Sequence, residues 1–302
     1  MYQVLSKRQL SDAVFELTVE APRIARKCAA GQFLIIRADE HGERVPFTFS
    51  DWSAEEGWVR FIFARVGKTT HLLSRLATHD TILDVSGPLG RPTKIPGAGK
   101  HMAIVGGGVG TAVAYPVARA ACAAGARVSV ITGARSADLL ILQDELRALP
   151  LGRLLITTDD GSAGTQGLVT GPLAELCMND DVDEVFIVGP AVMMKFAAQT
   201  ALEAGVPTMV SLNPLMVDGT GMCGACRVTI NGRTQFGCVD GPDFDAAGVD
   251  WEELMTRQTT YNEQERLADA KYAHEVLHEV EARLAKLESE RERGCSCSCP
   301  TE

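Results

Sequence analysis

GAGKHMAIVGGGVG, residues 97–110, is the stretch on which the reading of the fold turns. Before it, short alternating or apolar runs recur: VFELTVEA at 14–21, GQFLIIRAD at 31–39, WVRFIFARV at 58–66 and TILDVSGPLG at 81–90. Gly, Pro and Asp punctuate them, which predicts a small antiparallel barrel. One segment there, GKTTHLLSRLAT at 67–78, reads as a short helix between two strands. From HMAIV onward the texture changes and strands alternate with helices. A Gly turn follows that buried strand, then TAVAYPVARAACAAG at 111–125, an Ala-rich helix ending in Gly. ARVSVITGA at 126–134 is the next strand and DLLILQDELRAL at 138–149 an amphipathic helix. LLITTDD, GPLAELC and EVFIVGP continue the beat to about residue 211, the βαβ pattern of an open parallel sheet with helices on both faces.

The chain of 302 residues has room for two ordinary domains and a small third. Its 46% apolar and 23% charged residues describe a folded soluble protein. A formal net charge of -10 argues against nucleic acid or an anionic membrane surface as the main partner. The N-terminal segment has no apolar core behind basic residues, so no secretory signal is expected. No run reaches the ~18 apolar residues of a membrane span. The expected location is therefore cytoplasmic, where clustered cysteines more often bind metal than pair as disulfides.

Of nine cysteines, Cys28, Cys122 and Cys177 stand alone in apolar surroundings and read as small buried hydrophobes. Cys223, Cys226 and Cys238 form one group, and Cys295, Cys297 and Cys299 another. In MVDGTGMCGACRV, 216–228, the glycines Gly219, Gly221 and Gly224 permit positive φ and let backbone N–H groups turn toward anionic sulfurs. A zinc knuckle would want two pairs of Cys or His, and no His lies near. A plant-type [2Fe–2S] loop reads C-x4-C-x2-C with a distant fourth Cys. On that template Cys223, Cys226 and Cys238 take the second, third and fourth places, and the first falls on Asp218. A carboxylate binds iron through oxygen; the other reading of Asp218 is a turn residue. An Asn-Gly pair in VTINGRTQFGC, 228–238, predicts a hairpin. Beyond Pro242 the chain is expected to turn helical, with Val276, Val280, Leu284 and Leu287 on one face.

After the strand HMAIV, Gly106, Gly107, Gly108, Gly110 and Thr111 lead into a helix. Glycine lets backbone approach a pyrophosphate, and the helix N-terminus offers unpaired N–H groups to it. Sites in such sheets form at the carboxyl ends of strands. That adds Gly133 and Arg135 of TGAR, Asp160 at the end of LLITTDD, and Gly189 and Pro190. The strict GxGxxG with a following acidic residue is not met. Arg135 could meet a 2′-phosphate or stack on adenine, so NAD(H) and NADP(H) both stay open.

Barrel, nucleotide sheet and cysteine loop in this order resemble the ferredoxin-reductase-like flavoprotein superfamily. RVPFTFS, 44–50, is similar to its flavin strand motif. The resemblance implies that Arg44 meets the FAD pyrophosphate and Thr48 the flavin ring or ribityl, with Pro46, Phe47, Phe49 and Ser50 in the same motif. RVGKTTHLL, 65–73, resembles the second FAD segment, with Val66, Gly67 and Thr70 at its helix start. GPLG, 87–90, resembles the turn that closes the barrel, beginning at Gly87. The cysteine loop places the chain beside dihydroorotate dehydrogenase electron-transfer subunits. SLNPLMVDGTGMCGACRV with GCVDGPDFDA is closer to the small subunits of NADH-dependent reduced ferredoxin:NADP oxidoreductases, also called sulfide dehydrogenase β subunits. There an Asp stands in the first ligand place.

The resemblance, over about residues 1–272, implies an α/β plus all-β architecture. An antiparallel FAD-binding β-barrel (1–97) precedes a parallel-sheet NAD(P)-binding α/β domain (98–211). A [2Fe–2S] cluster loop (212–245) follows, whereas the C-terminal helical extension with its Cys-rich tail (246–302) departs from the family and reads as an addition. It also implies FAD, a [2Fe–2S] cluster, an NAD(H) site, and a larger glutamate-synthase-like partner subunit carrying a second flavin and [4Fe–4S] clusters. Ferredoxin would be reached through that complex. Hydride would pass directly between nicotinamide and flavin, so no acid–base side chain is named as catalytic. The function expected is electron transfer in a bifurcating oxidoreductase. The alternatives are a stand-alone NAD(P)H:acceptor reductase and a non-enzymatic iron–sulfur redox sensor.

Overall fold

The computed structural model describes residues 1–275. The expected apolar face from Val276 to Leu287 and the cysteines Cys295, Cys297 and Cys299 lie outside the described residues. Met1–Thr260 form one compact unit and the chain from Tyr261 a second. In the second, residues 262–275 are helical, with Lys271 and Glu275 paired at 3.9 Å.

The first unit begins with the expected barrel. Strands β1 (Tyr2–Gln9) and β2 (Val14–Glu20) precede a short helix α1 (Pro22–Ala25). Then come β3 (Phe33–Arg37), β4 (Arg44–Ser53), β5 (Trp58–Ala64), helix α2 (Lys68–Arg75), β6 (Thr81–Ile82) and β7 (Asp84–Leu89). All pair antiparallel in the order β6-β1-β2-β5-β4-β3-β7. The two edge strands are consecutive in the chain, so the sheet curls nearly shut. Leu17, Leu34, Phe49, Phe61, Phe63 and Leu73 fill it, each fully or almost fully buried.

The second sheet is built from β8 (His101–Gly107), helix α3 (Thr111–Ala123), β9 (Arg127–Ala134) and helix α4 (Gln143–Arg147). β10 (Arg153–Thr158), β11 (Thr165–Gln166), helix α5 (Thr170–Asn179), β12 (Glu184–Val188), helix α6 (Ala191–Glu203) and β13 (Thr208–Ser211) complete the alternation. The order is β11-β10-β9-β8-β12-β13, all parallel. The order reverses between β8 and β12, which is where doubly wound sheets open a crevice at their carboxyl ends. The hairpin β14 (Arg227–Ile230) and β15 (Arg233–Phe236) turns at Asn231 and Gly232, both at positive φ, as an Asn-Gly turn requires.

Three expectations are corrected. DLLILQDELRAL is not one helix: Leu142 sits at φ 56 and only Gln143–Arg147 is helical. Ile141 and Leu142 are instead buried against Val14 and Ile62 of the barrel, so a tertiary contact overrides the helical period. The chain beyond Pro242 does not go straight to helix. β16 (Asp243–Asp245) first pairs antiparallel with β13, and helix α7 (Trp251–Gln258) follows. Cys28, Cys122 and Cys177 are half-buried rather than buried. Burial still raises all three thiols, Cys28 to about 12, so they are weak nucleophiles.

Asp243 ties β16 to the segment joining barrel and sheet: Thr93 Oγ1 donates to its Oδ2 at 2.6 Å. The residue as a whole is partly exposed, yet its Oδ1 is sealed from solvent and finds no hydrogen-bond partner among the described residues. Burial pushes its pKa up to about 6. A carboxyl raised on folding contributes most below its unfolded pKa of about 3.9, and that contribution is lost as pH rises through about 6. Asp243→Asn is therefore expected to stabilise the chain at about pH 8 by roughly 1–3 kcal/mol. The gain should shrink toward zero below pH ~4, read from thermal unfolding midpoints across pH.

Candidate functional site

At the carboxyl end of β8 the chain passes through Gly106 and Gly107 into a turn at Gly108–Gly110 and then into α3. The glycines do different work. A Cβ on Gly107 would lie 2.2 Å from Met193 Sδ, and one on Gly110 2.6 Å from Val188 O. These two let the ends of β8 and β12 close up beside Gly189 and Pro190. Gly108, at φ 54, has nothing within 4 Å of a Cβ, so its backbone is open to an incoming group. α3 has no side-chain cap and no acidic residue in its first turn, so nothing there repels an anion, although Thr111 N already donates to Gly108 O.

Gly133 at the end of β9 is a packing glycine, since its Cβ would meet Val169 Cγ1 at 2.4 Å. Arg135 beyond it is exposed. Asp160 beyond β10 accepts from Ser162 N and Oγ at 2.9 and 2.6 Å, and the Ser162 hydroxyl and amide hold its pKa below the usual range. The nucleotide candidates thus stand at the carboxyl edge of β8, β9, β10 and β12. A cavity of about 630 Å³ lies at the opposite, amino end, lined by Met102, Glu184, Thr208 and Asp243. It has no part in the crevice.

RVPFTFS occupies β4. Phe47 stacks on Phe61 at 5.2 Å, and Phe49 is fully buried. Ser50 is buried with an Oγ that finds no partner among the described residues, so a hydroxyl is left over on this strand. Val66 stands 79% exposed just before α2. Thr70 Oγ1 accepts from Val66 N and Gly67 N and donates to Gly67 O, which shapes the helix start. Gly67 has no side chain to cap α2, and its Cβ would meet open space. The unclaimed hydroxyl, exposed apolar side chain and uncapped helix start suit a large cofactor with an anionic group. Gly87 lies in β7 against Leu34. Arg44 Nε donates to Val217 O at 3.0 Å, a tie to the cysteine loop that spacing in the sequence gave no sign of.

The cysteine loop brings its candidate ligands together as two pairs. Asp218 Oδ2 accepts from Cys223 N at 2.9 Å, and Oδ1 from Thr220 N at 2.9 Å. Those amides, Thr220 first, hold the Asp218 pKa below the carboxylate range, so it is an anion with lone pairs to spare. The second pair is Cys226 and Cys238, each 1% exposed, with sulfurs 3.1 Å apart. Burial, then the neighbouring thiol, pushes Cys238 up to about 12; a bound cation reverses that balance. Among the described residues no three His, Cys, Asp or Glu side chains converge on one point as a single-ion site would need. One pair of donors for each of two irons is the arrangement a [2Fe–2S] cluster would use. Gly219, Gly221 and Gly224 all take positive φ, at 77°, 82° and 68°.

The loop is seated on the barrel. Cys226, Cys238 and Met216 pack with Phe33 and Ile35 of β3, and Leu89 joins them. β3 is the direct neighbour of β4, with Phe33 opposite Thr48 and Ile35 opposite Pro46. From the other side α7 reaches the loop, Arg257 Nη2 donating to Ala225 O at 3.0 Å.

Residues 213–250 match the iron–sulfur cluster binding domain of dihydroorotate dehydrogenase B, and residues 104–199 an oxidoreductase NAD-binding domain. The chain is 47% identical over 266 residues to a dihydroorotate dehydrogenase B (NAD(+)) electron transfer subunit homolog of Thermotoga maritima, covering 88% of this chain and 93% of that one. It is 30% identical over 257 residues to the dihydroorotate dehydrogenase B (NAD(+)) electron transfer subunit of Desulforamulus reducens, covering 83% and 97%. A solved structure of NADH-dependent reduced ferredoxin-NADP oxidoreductase, described for flavin-based electron bifurcation, superposes with a TM-score of 0.85 at 45% identity. It covers 90% of this chain and 98% of that one. The ferredoxin reductase of carbazole 1,9a-dioxygenase shares the fold at 19% identity, with a TM-score of 0.60 over 68% of this chain and 65% of that one. No helix among the described residues is long and apolar enough to cross a membrane.

Gly219 combines positive φ with a Cβ position 2.7 Å from Leu89 Cδ1 and 2.8 Å from Ile35 Cδ1. Gly219→Ala is expected to lift the loop off the barrel and cost roughly 1–3 kcal/mol in urea unfolding of the iron-free chain.

Proposed function

The chain belongs to the family of dihydroorotate dehydrogenase B electron-transfer subunits, and on that premise we propose that it is the flavoprotein subunit of an oxidoreductase complex. It moves electrons between NAD(H), FAD and a [2Fe–2S] cluster, to or from a larger partner subunit. The observation that carries this reading is the seating of the cysteine loop on β3, one strand away from the flavin motif on β4. The similarity to the bifurcating oxidoreductase structure, together with Asp218 in the first ligand place, supports a bifurcating complex with a glutamate-synthase-like partner that communicates with ferredoxin.

Bound FAD supplies the exchange between paired electrons, as nicotinamides carry them, and single electrons, as iron–sulfur clusters carry them. The chain's own residues bind, orient and insulate. The open backbone at Gly108 and the start of α3 hold the nucleotide phosphates, with Arg135 and Asp160 at the rim. Arg44, Thr48 and Ser50 of β4 and the start of α2 at Gly67 hold FAD. Asp218, Cys223, Cys226 and Cys238 hold iron. Phe33, Ile35 and Met216 keep water from the Cys226–Cys238 side. No residue is assigned a proton-transfer role.

Anaerobic NADH titration of the reconstituted chain tests this. Flavin absorbance should bleach and a reduced-cluster paramagnetic signal should follow, with dithionite as the stronger reductant if needed. Bleaching with a cluster that stays oxidised even under dithionite refutes the relay. For the oxygen ligand, Asp218→Ala is expected to lose iron with all three thiols intact. Asp218→Cys should keep iron and shift the reduction potential. Unchanged iron content and spectra in Asp218→Ala would remove Asp218 from the ligand set.

A further inference from the structure

Six charged side chains of alternating sign run across one face of the barrel. Arg119 of α3 meets Asp51 of β4 at 2.5 Å, and Asp51 meets Arg60 of β5 at 3.4 Å. Arg60 reaches Glu16 of β2 at 3.7 Å, Glu16 meets Arg8 of β1 at 3.2 Å, and Arg8 meets Glu145 of α4 at 2.9 Å. The strands β4, β5, β2 and β1 are consecutive in the sheet. Asp51 stands opposite Arg60, and Arg8 opposite Glu16, so each of those links is a direct cross-strand pair. Both ends of the row are anchored in the α/β part, on α3 and α4.

The row lies beside an apolar seam. Val14 and Ile62 of the barrel pack with Ala112, Ile141 and Leu142 of the α/β part. Arg119 also stacks over Trp52 at 5.2 Å and Tyr115 at 5.5 Å, one aromatic from each side. The two central carboxylates are shielded, with side chains 7% and 18% exposed for Glu16 and Asp51. Isolated surface pairs contribute little, whereas shielded pairs sharing partners contribute more.

The placement matters because of what Asp51 and Arg119 belong to. Asp51 directly follows the flavin motif on β4, and Arg119 lies about two turns into the helix whose start faces the nucleotide site. Building on the proposed function, we infer that the six charges are positioning residues that hold the barrel and the α/β sheet at the separation the two cofactors require. Neutralising a central carboxylate also leaves like charges facing each other: Arg60 and Arg119 without Asp51, or Arg8 and Arg60 without Glu16. An end residue has one neighbour only, so its loss does less.

The test is amide hydrogen exchange on the full chain, with and without FAD, followed by NADH mixing on the FAD-loaded protein. In Asp51→Asn and Glu16→Gln the seam amides of Leu10–Val14 and Gly108–Tyr115 should exchange about tenfold faster. The β3 core should stay unchanged. Glu145→Gln should show a smaller change, Asp51→Glu should recover the wild-type pattern, and Arg147→Ala, which breaks an exposed pair outside the row, should show none. In the loaded Asp51→Asn protein the limiting rate of flavin reduction should fall while the apparent affinity for NADH holds. Wild-type seam exchange in both central variants overturns the inference, as does acceleration spread evenly through the chain. Failure of NADH to reduce the wild-type flavin would instead sink the proposed function and leave the exchange result standing.

Discussion

The packing of the Cys226–Cys238 pair against Phe33 and Ile35 is the contact on which the rest depends. A cysteine loop rich in positive-φ glycine has little regular structure of its own, so its geometry is borrowed from a rigid neighbour. The barrel supplies that neighbour in β3, whose residues 33–36 are all buried. Gly219 allows the close approach, since any side chain there would collide with Ile35 and Leu89. Arg44 and Arg91 fasten the loop at two further points, through Val217 O and Val239 O. An electron carrier gains from this rigidity: a fixed separation and a dry surround keep the loop from rearranging as charge moves.

Much of the fold is legible in the sequence because its signals are local. The alternating runs before residue 97 and the strand–Gly–helix beat after it each encode their own period. The Asn231-Gly232 turn and the glycines of the cysteine loop are likewise local, since each needs a backbone conformation few residues adopt. Where tertiary contact decides, sequence reading stops. The apolar spacing of DLLILQDELRAL fits a helix, but Ile141 and Leu142 are drawn into the barrel seam and the chain kinks to deliver them. β16 is three residues long and exists because β13 offers it an edge.

The site divides in the same way. Asp218, Cys223, Cys226 and Cys238 stand out as candidate ligands in the sequence because metal ligation would constrain spacing along the chain. The two readings of Asp218, turn residue and ligand, prove compatible, because its oxygens accept backbone N–H bonds and keep free lone pairs. The glycines at 106–110 look alike in sequence, yet only Gly108 faces open space; Gly107 and Gly110 serve the approach of β8 to β12. Arg44 to Val217 and Asp51 to Arg119 join residues far apart in the chain, and no single sequence displays such pairings.

Strand β4 draws these threads into one object. Near its start, Arg44 bonds to the cysteine loop. Near its far end, Asp51 bonds to α3, the helix that begins at the nucleotide turn. Between them lies the proposed flavin segment, on a strand of ten residues that spans about 30 Å. The three sites need not be positioned independently, because one strand touches the elements that carry all of them. A barrel strand suits this role because it is paired on both sides, by β3 and β5, and Phe49 roots it in the core. Its stiffness is then shared by every transfer the chain performs. Pulling Arg44 or Asp51 out of place would disturb relations between sites before it disturbed any one of them.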